Sequence, residues 1–298
     1  MHTESSRAQP GALYVVATPI GNLRDITLRA LDVLASVDLV AAEDTRHTLH
    51  LLSAHGITAK LLAAHEHNEL AAAEKLVTHL RAGGSAALVT DAGTPAISDP
   101  GARVVRVVRE AGIPVVPIPG PSAAVTALSA AGIHGAGFEF AGFLPTRREA
   151  RRRAIESFRQ TGHAVLFYEA PHRIREAAED LREVLGDDRR LVICRELTKR
   201  FEEIHECALA DVAAWLDADA NRERGEFVVV LPPAEVAEAP VPDQEAQRIL
   251  GILARALPPS RAARVAAEIT GLRKDDFYAA ATRLSSGGPV QDTQDENP

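Results

Sequence analysis

Short apolar runs alternate with amphipathic stretches along the first 120 residues. Apolar runs of four to six residues predict strands, whereas apolar residues that recur with helical spacing predict helices. The predicted strands are Leu13–Thr18, Leu39–Glu43, Lys60–Ala64, Ala86–Thr90 and Pro114–Ile118. The predicted helices lie between them at Thr27–Ser36, Thr45–Ala54, Glu69–Ala82 and Pro100–Ala111. Regular alternation of strands and helices predicts a doubly wound α/β domain with a parallel sheet over residues 11–120.

The pattern changes between residues 121 and 232, where some strands follow one another with little helix between them. The predicted strands here are Phe138–Phe143, His163–Glu169, Leu191–Leu197, Glu203–Ala208 and Glu226–Leu231. Thr146 and Glu149 fit a capping box for an arginine-rich helix, and a second helix is predicted over Pro171–Leu185. Consecutive strands without an intervening helix favour antiparallel pairing, so this is predicted to be a second α/β domain with a mixed sheet.

A small helical appendage is predicted at the C-terminal end. Pro232–Asp243 is rich in Pro, Ala and Glu and is typical of a linker. Helical patterns follow at Gln244–Ala256, Ser260–Thr270 and Lys274–Leu284, within an appendage of residues 244–285. Residues 1–10 and 286–298 are polar and are predicted to be disordered.

Composition excludes several classes of protein for this chain of 298 residues. No apolar run approaches the roughly 20 residues that span a bilayer, and no secretory signal is recognisable. Two cysteines in a chain of this length indicate a reducing compartment, so we expect a cytoplasmic protein with no membrane partner. The sequence has no C-x-x-C, H-E-x-x-H or G-x-S-x-G, which argues against a metal site and against serine hydrolase chemistry.

Four loops rich in Gly, Pro and polar residues each connect a predicted strand to a predicted helix. They are Ala17–Leu23, Glu43–Arg46, Asp91–Gly101 and Pro117–Ser122. In a doubly wound domain these loops emerge at one edge of the sheet, where open α/β sheets bind ligands. None carries G-x-G-x-x-G or a phosphate-binding loop, so we expect a ligand held by backbone contacts. Within the third loop, Asp99 and Pro100 predict a helix start with Asp99 as the cap.

Positive charge is concentrated in one segment of an otherwise acidic protein with a net charge of −8. Six arginines and two glutamates lie between Pro145 and Gln160, giving a local charge of +4. This segment is either a solvated helix face or a surface that follows the phosphates of a nucleic acid.

Four motifs together resemble those of a known family. Ala17–Leu23, Asp91–Gly101, Phe167–Arg173 and Cys194–Lys199 are similar, in order, to the signatures of the ribosomal small subunit methyltransferase I family. That family belongs to the tetrapyrrole methylase superfamily, the class III methyltransferases. The resemblance extends from about Leu13 to Leu284, which covers nearly all of the chain predicted to be ordered.

The resemblance implies 2′-O-methylation, dependent on S-adenosylmethionine, of a cytidine in 16S rRNA near the decoding centre of the small ribosomal subunit. It also implies a homodimer and a cofactor cleft between the two α/β domains. By motif position, the implied cofactor contacts are Ile20, Thr94, Ile97, Ser122, Ala123, Tyr168, Glu226 and Phe227. The helices from Ser260 to Leu284 resemble a helix-turn-helix, which either binds RNA or serves as a packing appendage or dimer element.

Methyl transfer to a hydroxyl needs placement of the oxygen and removal of its proton. We therefore expect a carboxylate or lysine near the substrate, with arginines holding phosphate. The hypothesis assigns catalysis to Glu43, Glu169 and Lys199 because they lie in or beside loops predicted to face the cleft. The expected substrate-binding residues are Arg46, Arg147, Arg148, Arg151 and Arg173.

Two other functions stay open on the sequence. A methylase of a tetrapyrrole or another small precursor has the same fold, although the arginine-rich helix and the appendage favour RNA. The alternative of another class is a non-catalytic RNA-binding factor of ribosome assembly with a vestigial cofactor pocket. Binding of S-adenosylmethionine would argue against the non-catalytic factor, and methylation of small ribosomal subunits would argue against the small-molecule methylase.

Overall fold

A computed structural model describes residues 7–133, 137–234 and 244–272, together with residues 274, 277, 278 and 281. The chain divides into two compact units, residues 1–234 and 235–298, which are described separately here. Residues 1–6, most of the predicted linker and residues 282–298 lie outside the described part of the chain. Within the described part, no helix has the length and apolar character needed to cross a membrane.

The first sheet has five strands, all parallel, in the order β3-β2-β4-β1-β5. The strands are β1 Leu13–Val16, β2 Leu39–Ala42, β3 Leu61–Ala63, β4 Ala86–Val89 and β5 Val115–Ile118. Each one ends before the polar residues of the loop that follows it. The parallel sheet predicted from the alternating pattern is confirmed, and all of its loops to the next helix leave from one edge.

Helices cover both faces of this sheet, as a doubly wound domain requires. They are α1 Leu28–Ser36, α2 Thr45–Ala54, α3 Glu69–Arg81 and α4 Ala102–Glu110. The apolar sides of α1 and α2 pack in one buried cluster, and those of α3 and α4 pack in another on the opposite face. Gly56, Gly83 and Gly112 follow helix ends with positive φ angles of 67°, 88° and 75°, the left-handed conformation in which glycine commonly ends a helix.

The second sheet is mixed, as predicted, in the order β6-β7-β10-β8-β9. Its strands are β6 Phe138–Phe143, β7 Ala164–Glu169, β8 Arg190–Arg195, β9 Glu203–Ala208 and β10 Phe227–Leu231. Only β6 and β7 pair in parallel, because a helix connects them and carries the chain back across the sheet. The helices of this part are α5 Ala123–Ala130, α6 Arg148–Ser157, α7 Ile174–Leu185 and α8 Val212–Asp217.

Helix α5 connects the two sheets. It follows β5 directly, and its small residues Ala124 and Ala127 pack against the face formed by β7, β8 and β10. Ile20, from the loop after β1, and Leu197 belong to the same buried cluster. Small side chains let the helix approach the sheet closely, which brings the loop edge of the first sheet against the second sheet.

Two helix starts differ from the prediction. Helix α4 begins at Ala102 with Gly101 as its N-cap, so Asp99 is not the cap. Ala96 and Ser98 are in the left-handed region, and this turn delays the helix. Helix α6 begins after Arg147 without a side-chain cap, so the predicted capping box of Thr146 and Glu149 is wrong.

The second compact unit contains α9 Gln244–Ala256 and α10 Pro259–Thr270. Helix α10 ends at Gly271, which has the left-handed φ of 74° expected of a glycine stop. Its described core consists of small residues around larger side chains: Ala246, Leu250, Ala262, Ala263, Ala266, Phe277 and Ala281. Most of the predicted third helix lies outside the described residues, although Lys274, Phe277, Tyr278 and Ala281 are helical.

Candidate active site

A cavity of about 300 Å³ lies between the loop edge of the first sheet and the second sheet. This is the lower end of the range for small-molecule sites. One wall consists of the loops after β1, β4 and β5, and the other of β7, β10 and the end of β8. The residues expected to contact a cofactor all line it: Ile20, Thr94, Ile97, Ser122, Ala123, Tyr168, Glu226 and Phe227.

Hydrogen bonds join the loops of the first wall into one rigid surface. The amides of Thr18 and Gly93 donate to each other's carbonyls at 2.9 and 3.0 Å. The hydroxyl of Thr18 donates to the carbonyl of Thr90, and that of Thr94 donates to the carbonyl of Pro121, both at 3.0 Å. Three loops that are far apart in the sequence are therefore held in register at the cavity.

The loop from Asp91 to Gly101 contains strained backbone. Ala96 and Ser98 have φ angles of 70° and 63°, a region that costs residues with side chains about 1–2 kcal/mol each. The strained turn is closed by Ala96, whose amide donates to the carbonyl of Pro100 at 3.2 Å. The amide of Gly101 donates to Glu69 Oε1 at 2.6 Å, which ties the loop to the start of α3. Such strain typically persists where it serves a site, and here the strained loop lines the cavity with Asp99.

Three carboxylates lie close together at this edge. Burial, followed by the charges of Glu43 and Asp91, raises the pKa of Asp99 to about 6. Burial also raises the pKa of Glu43, whose Oε2 accepts a hydrogen bond of 3.4 Å from the amide of Asp91. Asp91 Oδ1 in turn accepts from the amide of Asp44 at 3.1 Å. Glu43 thus lies next to the cavity residues without lining the cavity itself.

Glu169, at the end of β7, places a buried carboxylate on the opposite wall. Its Oε1 accepts from the amide of Ala170 at 2.9 Å and lies 3.3 Å from Arg173 Nε, while its Oε2 is buried without a hydrogen-bond partner. Burial raises the pKa of Glu169 even though the Ala170 amide and the Arg173 charge oppose the shift. The Arg173 guanidinium also donates to the carbonyls of Leu144 and Pro145, so it holds the loop after β6.

Lys199 forms a cross-link beside the cavity. Its Nζ lies 2.9 Å from both Glu196 Oε1 and Glu226 Oε2, and Glu226 lines the cavity. Burial alone would lower the pKa of Lys199, but the hydrogen bonds to Glu226 and Glu196 outweigh it and the pKa is raised. The side chain packs on Gly21, where a Cβ would come within 2.4 Å of Lys199 Cγ. Lys199 is therefore a cation fixed by two carboxylates next to the loop after β1.

Comparison with protein-family models identifies the family to which this chain belongs. The model of the tetrapyrrole (corrin/porphyrin) methylases matches residues 12–213, which include both sheets but for β10. The chain belongs to the tetrapyrrole methylase family. A second model, described as the RsmI C-terminal HTH domain, matches residues 240–285.

Curated relatives match this methylase over nearly its whole length. The protein named ribosomal RNA small subunit methyltransferase I in Escherichia coli O157:H7 is 48% identical, over 94% of this chain and 97% of its own. The proteins of that name in Vibrio cholerae and Pseudomonas aeruginosa are 48% and 47% identical, over 93% and 91% of this chain and 96% of their own.

Solved structures of more distant methylases share the fold. A uroporphyrin-III-C-methyltransferase from Thermus thermophilus superposes with a TM-score of 0.51 at 20% identity, over 74% of this chain and 94% of its own. A cobalt precorrin-4 methyltransferase superposes with a TM-score of 0.55 at 14% identity over the same shares of the two chains. At these identities the likeness shows the fold alone.

The cofactor of this family is S-adenosylmethionine, as the sequence predicts. The cavity fits such a group in its chemistry. Glu169 Oε2 is a buried acceptor with no partner among the described residues, so it is suited to an N–H or O–H donor of a ligand. Apolar side chains from Ile20, Ile97 and Phe227 offer surfaces for a flat ring, and Asp99 places negative charge where a cation would be favoured.

The predicted substrate-binding arginines lie in different environments. Arg46 is 90% exposed in its side chain and pairs with Asp44 at 2.7 Å, which lowers the pKa of Asp44. Arg147 is exposed at the start of α6. Arg148 bonds to Asp180 at 2.9 Å and to Glu183 at 3.2 Å, although it is more than half exposed.

Arg151 needs a correction. It is only 2% exposed, and its guanidinium pairs with Asp180 at 2.7 Å and with Glu176 at 3.3 Å. A buried, neutralised guanidinium cannot contact an RNA phosphate, so Arg151 is a structural residue between α6 and α7. The local charge of +4 is largely balanced by acidic residues of α7 that follow some 30 positions later.

Among the cavity residues that the sequence did not predict, Asp99 and Phe143 have the side chains of greatest chemical interest. Asp99 was assigned to a helix cap, although it lines the cavity. Phe143, at the end of β6, also lines it and is 52% exposed. The Phe143 ring packs edge-on against Tyr168, with 5.5 Å between ring centroids, and Phe140 packs on the same tyrosine at 4.8 Å. The signal available in the sequence for Phe143 was an aromatic residue at the end of a predicted strand.

Proposed function

We propose that this methylase transfers a methyl group from S-adenosylmethionine to the ribose 2′-hydroxyl of a cytidine in 16S rRNA, near the decoding centre. The observation that carries the proposal is the agreement of full-length relatives named for small-subunit rRNA, which includes the C-terminal part of the chain. The distant tetrapyrrole methylases cover only 74% of the chain at 14–20% identity. Their substrates are therefore not favoured for this protein.

Cofactor binding is assigned to the side chains and backbone that line the cavity. S-adenosylmethionine supplies an electrophilic methyl group on a sulfonium, which leaves the protein to position the acceptor and handle its proton. The rigid loops after β1, β4 and β5 hold one side of the cavity, and Tyr168, Glu226 and Phe227 close the other. Exclusion of water by the buried side chain of Ile20 strengthens the electrostatic contacts inside.

The three predicted catalytic residues take different parts in this proposal. Glu169 accepts a hydrogen bond from the bound ligands through its unpartnered Oε2. Lys199 stays protonated, because its carboxylate partners raise its pKa, and so it fixes Glu226 and offers positive charge near the substrate rather than acting as a base. Glu43 acts through its neighbours Asp91 and Asp99, since it does not line the cavity.

The RNA-contacting surface is assigned to the exposed arginines Arg46, Arg147 and Arg148 and to the C-terminal unit, while Arg173 positions the loop after β6. We further propose a cytoplasmic homodimer that acts without a metal ion. Among the described residues, no group of three or more His, Cys, Asp or Glu is placed to hold one. The proposed domains are residues 11–120, 121–232 and 244–285.

The test uses purified protein, tritiated S-adenosylmethionine and small ribosomal subunits that lack the modification. We expect label in 16S rRNA at one cytidine whose linkage resists alkali, because a 2′-O-methyl group removes the internal nucleophile of RNA hydrolysis. Calorimetry with S-adenosylmethionine alone runs in parallel. Cofactor binding without transfer to the subunits would refute the rRNA substrate, and no cofactor binding would favour a non-catalytic assembly factor.

A further inference from the structure

One buried arginine joins two loops that lie beside the cavity. Arg195, at the end of β8, is 6% exposed, and its guanidinium donates to three backbone carbonyls. The acceptors are the carbonyls of Phe201 at 3.2 Å, Asn221 at 2.6 Å and Arg224 at 2.7 Å. Arg195 therefore holds the loop after β8, residues 196–202, against the loop before β10, residues 219–226.

The loop after β8 has a fixed and strained backbone. Glu196 and Thr198 have φ angles of 52° and 65°, in the left-handed region that residues with side chains rarely adopt. The amide of Thr198 donates to Glu202 Oε2 at 2.6 Å, and the amide of Glu226 donates to Glu196 Oε1 at 2.9 Å. Leu197 and Glu226 line the cavity, so both loops are rigid where they border it. Strain of this kind typically persists where it serves a site.

The two loops present two arginines and an aromatic ring to solvent. Arg200 and Arg224 are exposed, and neither pairs with a carboxylate within the described residues. The Phe201 ring is 63% exposed, and the guanidinium carbon of Arg200 lies 5.5 Å from its centroid. Because Arg195 bonds to the carbonyls of both Phe201 and Arg224, these three residues form one surface, which we call the rim surface.

The carboxylates of the same loops already have partners. Glu196 and Glu226 pair with Lys199, Glu223 pairs with Arg175, and Glu202 and Asp219 accept hydrogen bonds from the amides of Thr198 and Asn221. Arg200 and Arg224 thus offer positive charge that the protein does not neutralise, although its net charge is −8. An anionic ligand would supply the missing counter-charge.

We propose that the rim surface binds a single-stranded segment of the substrate RNA beside the methylated nucleotide. The proposal rests on the methyl transfer to rRNA proposed above. Arg200 and Arg224 bind two phosphates, and a base stacks on the Phe201 ring. Cations that follow the backbone, combined with an exposed aromatic ring, are the usual means of holding single strands. Paired RNA does not fit as well, because its bases are stacked inside the helix.

The main test measures how binding depends on salt. The full chain and small ribosomal subunits that lack the modification are used in a filter-binding assay between about 50 and 200 mM salt. For single strands, each phosphate contact contributes about 0.7 to the slope of log affinity against log salt. Arg200→Gln combined with Arg224→Gln should therefore bind more weakly and lower this slope by about 1.4, which makes the loss of affinity across this range about sevenfold smaller than in wild type.

The matched control is Arg81→Gln combined with Arg109→Gln. These two arginines are also exposed, and their removal changes the net charge by the same amount. They lie at the ends of α3 and α4, just before β4 and β5 begin, and therefore at the edge of the first sheet opposite its cavity loops. The control should keep the wild-type slope. An equal fall in the control would mean that general charge, and not the rim surface, is responsible.

The ring is tested separately. Phe201→Ala should bind small subunits about 5- to 150-fold more weakly with an unchanged salt slope, because it loses one stacked base and no phosphate contact. Phe201→Tyr should keep the wild-type affinity. All of these variants should retain the unfolding temperature and the affinity for S-adenosylmethionine, since the altered side chains are exposed and do not line the cavity.

The outcomes separate this inference from the proposed function. If wild type binds small subunits but does not methylate them, the proposed function fails, whereas the binding assay still tests the rim surface. Wild-type affinity and slope in the double arginine variant would overturn the inference, and so would a loss of cofactor affinity in it. If Phe201→Ala keeps its RNA affinity but dissociates in sedimentation, the rim surface is an interface between copies of this chain and the inference is wrong.

Discussion

Replacing Asp180 by alanine should destabilise the protein by about 3–5 kcal/mol. Asp180 is 1% exposed in its side chain and accepts from Arg151, which is 3% exposed, at 2.7 and 2.8 Å. It also accepts from Arg148 at 2.9 Å. Its removal leaves the buried Arg151 guanidinium with the solvent-exposed Glu176, at 3.3 Å, as its close counter-charge. Loss of the buried partner from such a pair typically costs about 3–5 kcal/mol.

Urea unfolding followed by tryptophan fluorescence measures this change. Trp215 is the only tryptophan and lies in the same buried cluster as Ala177 and Leu181 of α7, so its emission reports on this part of the fold. The matched control is Glu183→Ala. Glu183 contacts the same arginine-rich helix but is 48% exposed, so its loss should cost less than about 1 kcal/mol.

A double replacement tests the cause. Arg151→Met combined with Asp180→Leu removes both charges and retains apolar volume, so it should recover most of the stability lost in Asp180→Ala. A loss of under about 1 kcal/mol in Asp180→Ala would refute the reasoning, because it would mean that Arg151 finds water or another partner at no cost.

Three further predictions concern the cavity and the C-terminal unit. Gly225→Ala should weaken S-adenosylmethionine binding about fivefold in calorimetry, because a Cβ there would lie 2.5 Å from the Glu196 carboxyl that accepts from the amide of Glu226, and one hydrogen bond contributes about 1 kcal/mol. Unchanged affinity would contradict this prediction. Phe143→Ala should raise the KM for small subunits about 5- to 150-fold, because the variant loses one base stacked on an exposed ring, whereas Phe143→Tyr should keep the wild-type KM. Equal KM values for Phe143→Ala and wild type would exclude stacking. A chain that ends at residue 234 should bind S-adenosylmethionine as the full chain does but should hold 16S rRNA more weakly in a filter-binding assay. Equal RNA affinity would assign the C-terminal unit a packing role.

The loops of the cavity could be predicted from the sequence because their signal is local. Apolar strands such as Ala86–Val89 stop at a run of Gly, Pro and polar residues, and the alternation with helices dictates a parallel sheet whose loops share one edge. The family motifs then supplied residues of the second wall, including Tyr168. All eight residues expected at the cofactor line the cavity for this reason.

The roles of charged residues could not be predicted in the same way, because their partners are distant in the sequence. Arg151 belongs to a segment of high positive charge, and only the packing of α6 on α7 shows that Asp180 neutralises it. Asp99 precedes a proline and fits a helix cap, but the left-handed turn at Ala96 and Ser98 moves the helix start to Ala102. Long-range packing and backbone strain decided both cases.

The position of β1 inside its sheet has a consequence for synthesis of the chain. β1 is the first strand to be made, yet its neighbours β4 and β5 end only at Val89 and Ile118. At the usual translation rate of about 5–20 residues per second, Leu13–Val16 waits roughly 5–20 s for its partners. The cavity can form only later, because β10, which completes its second wall, ends at Leu231. The cofactor therefore cannot guide the early folding of the nascent chain.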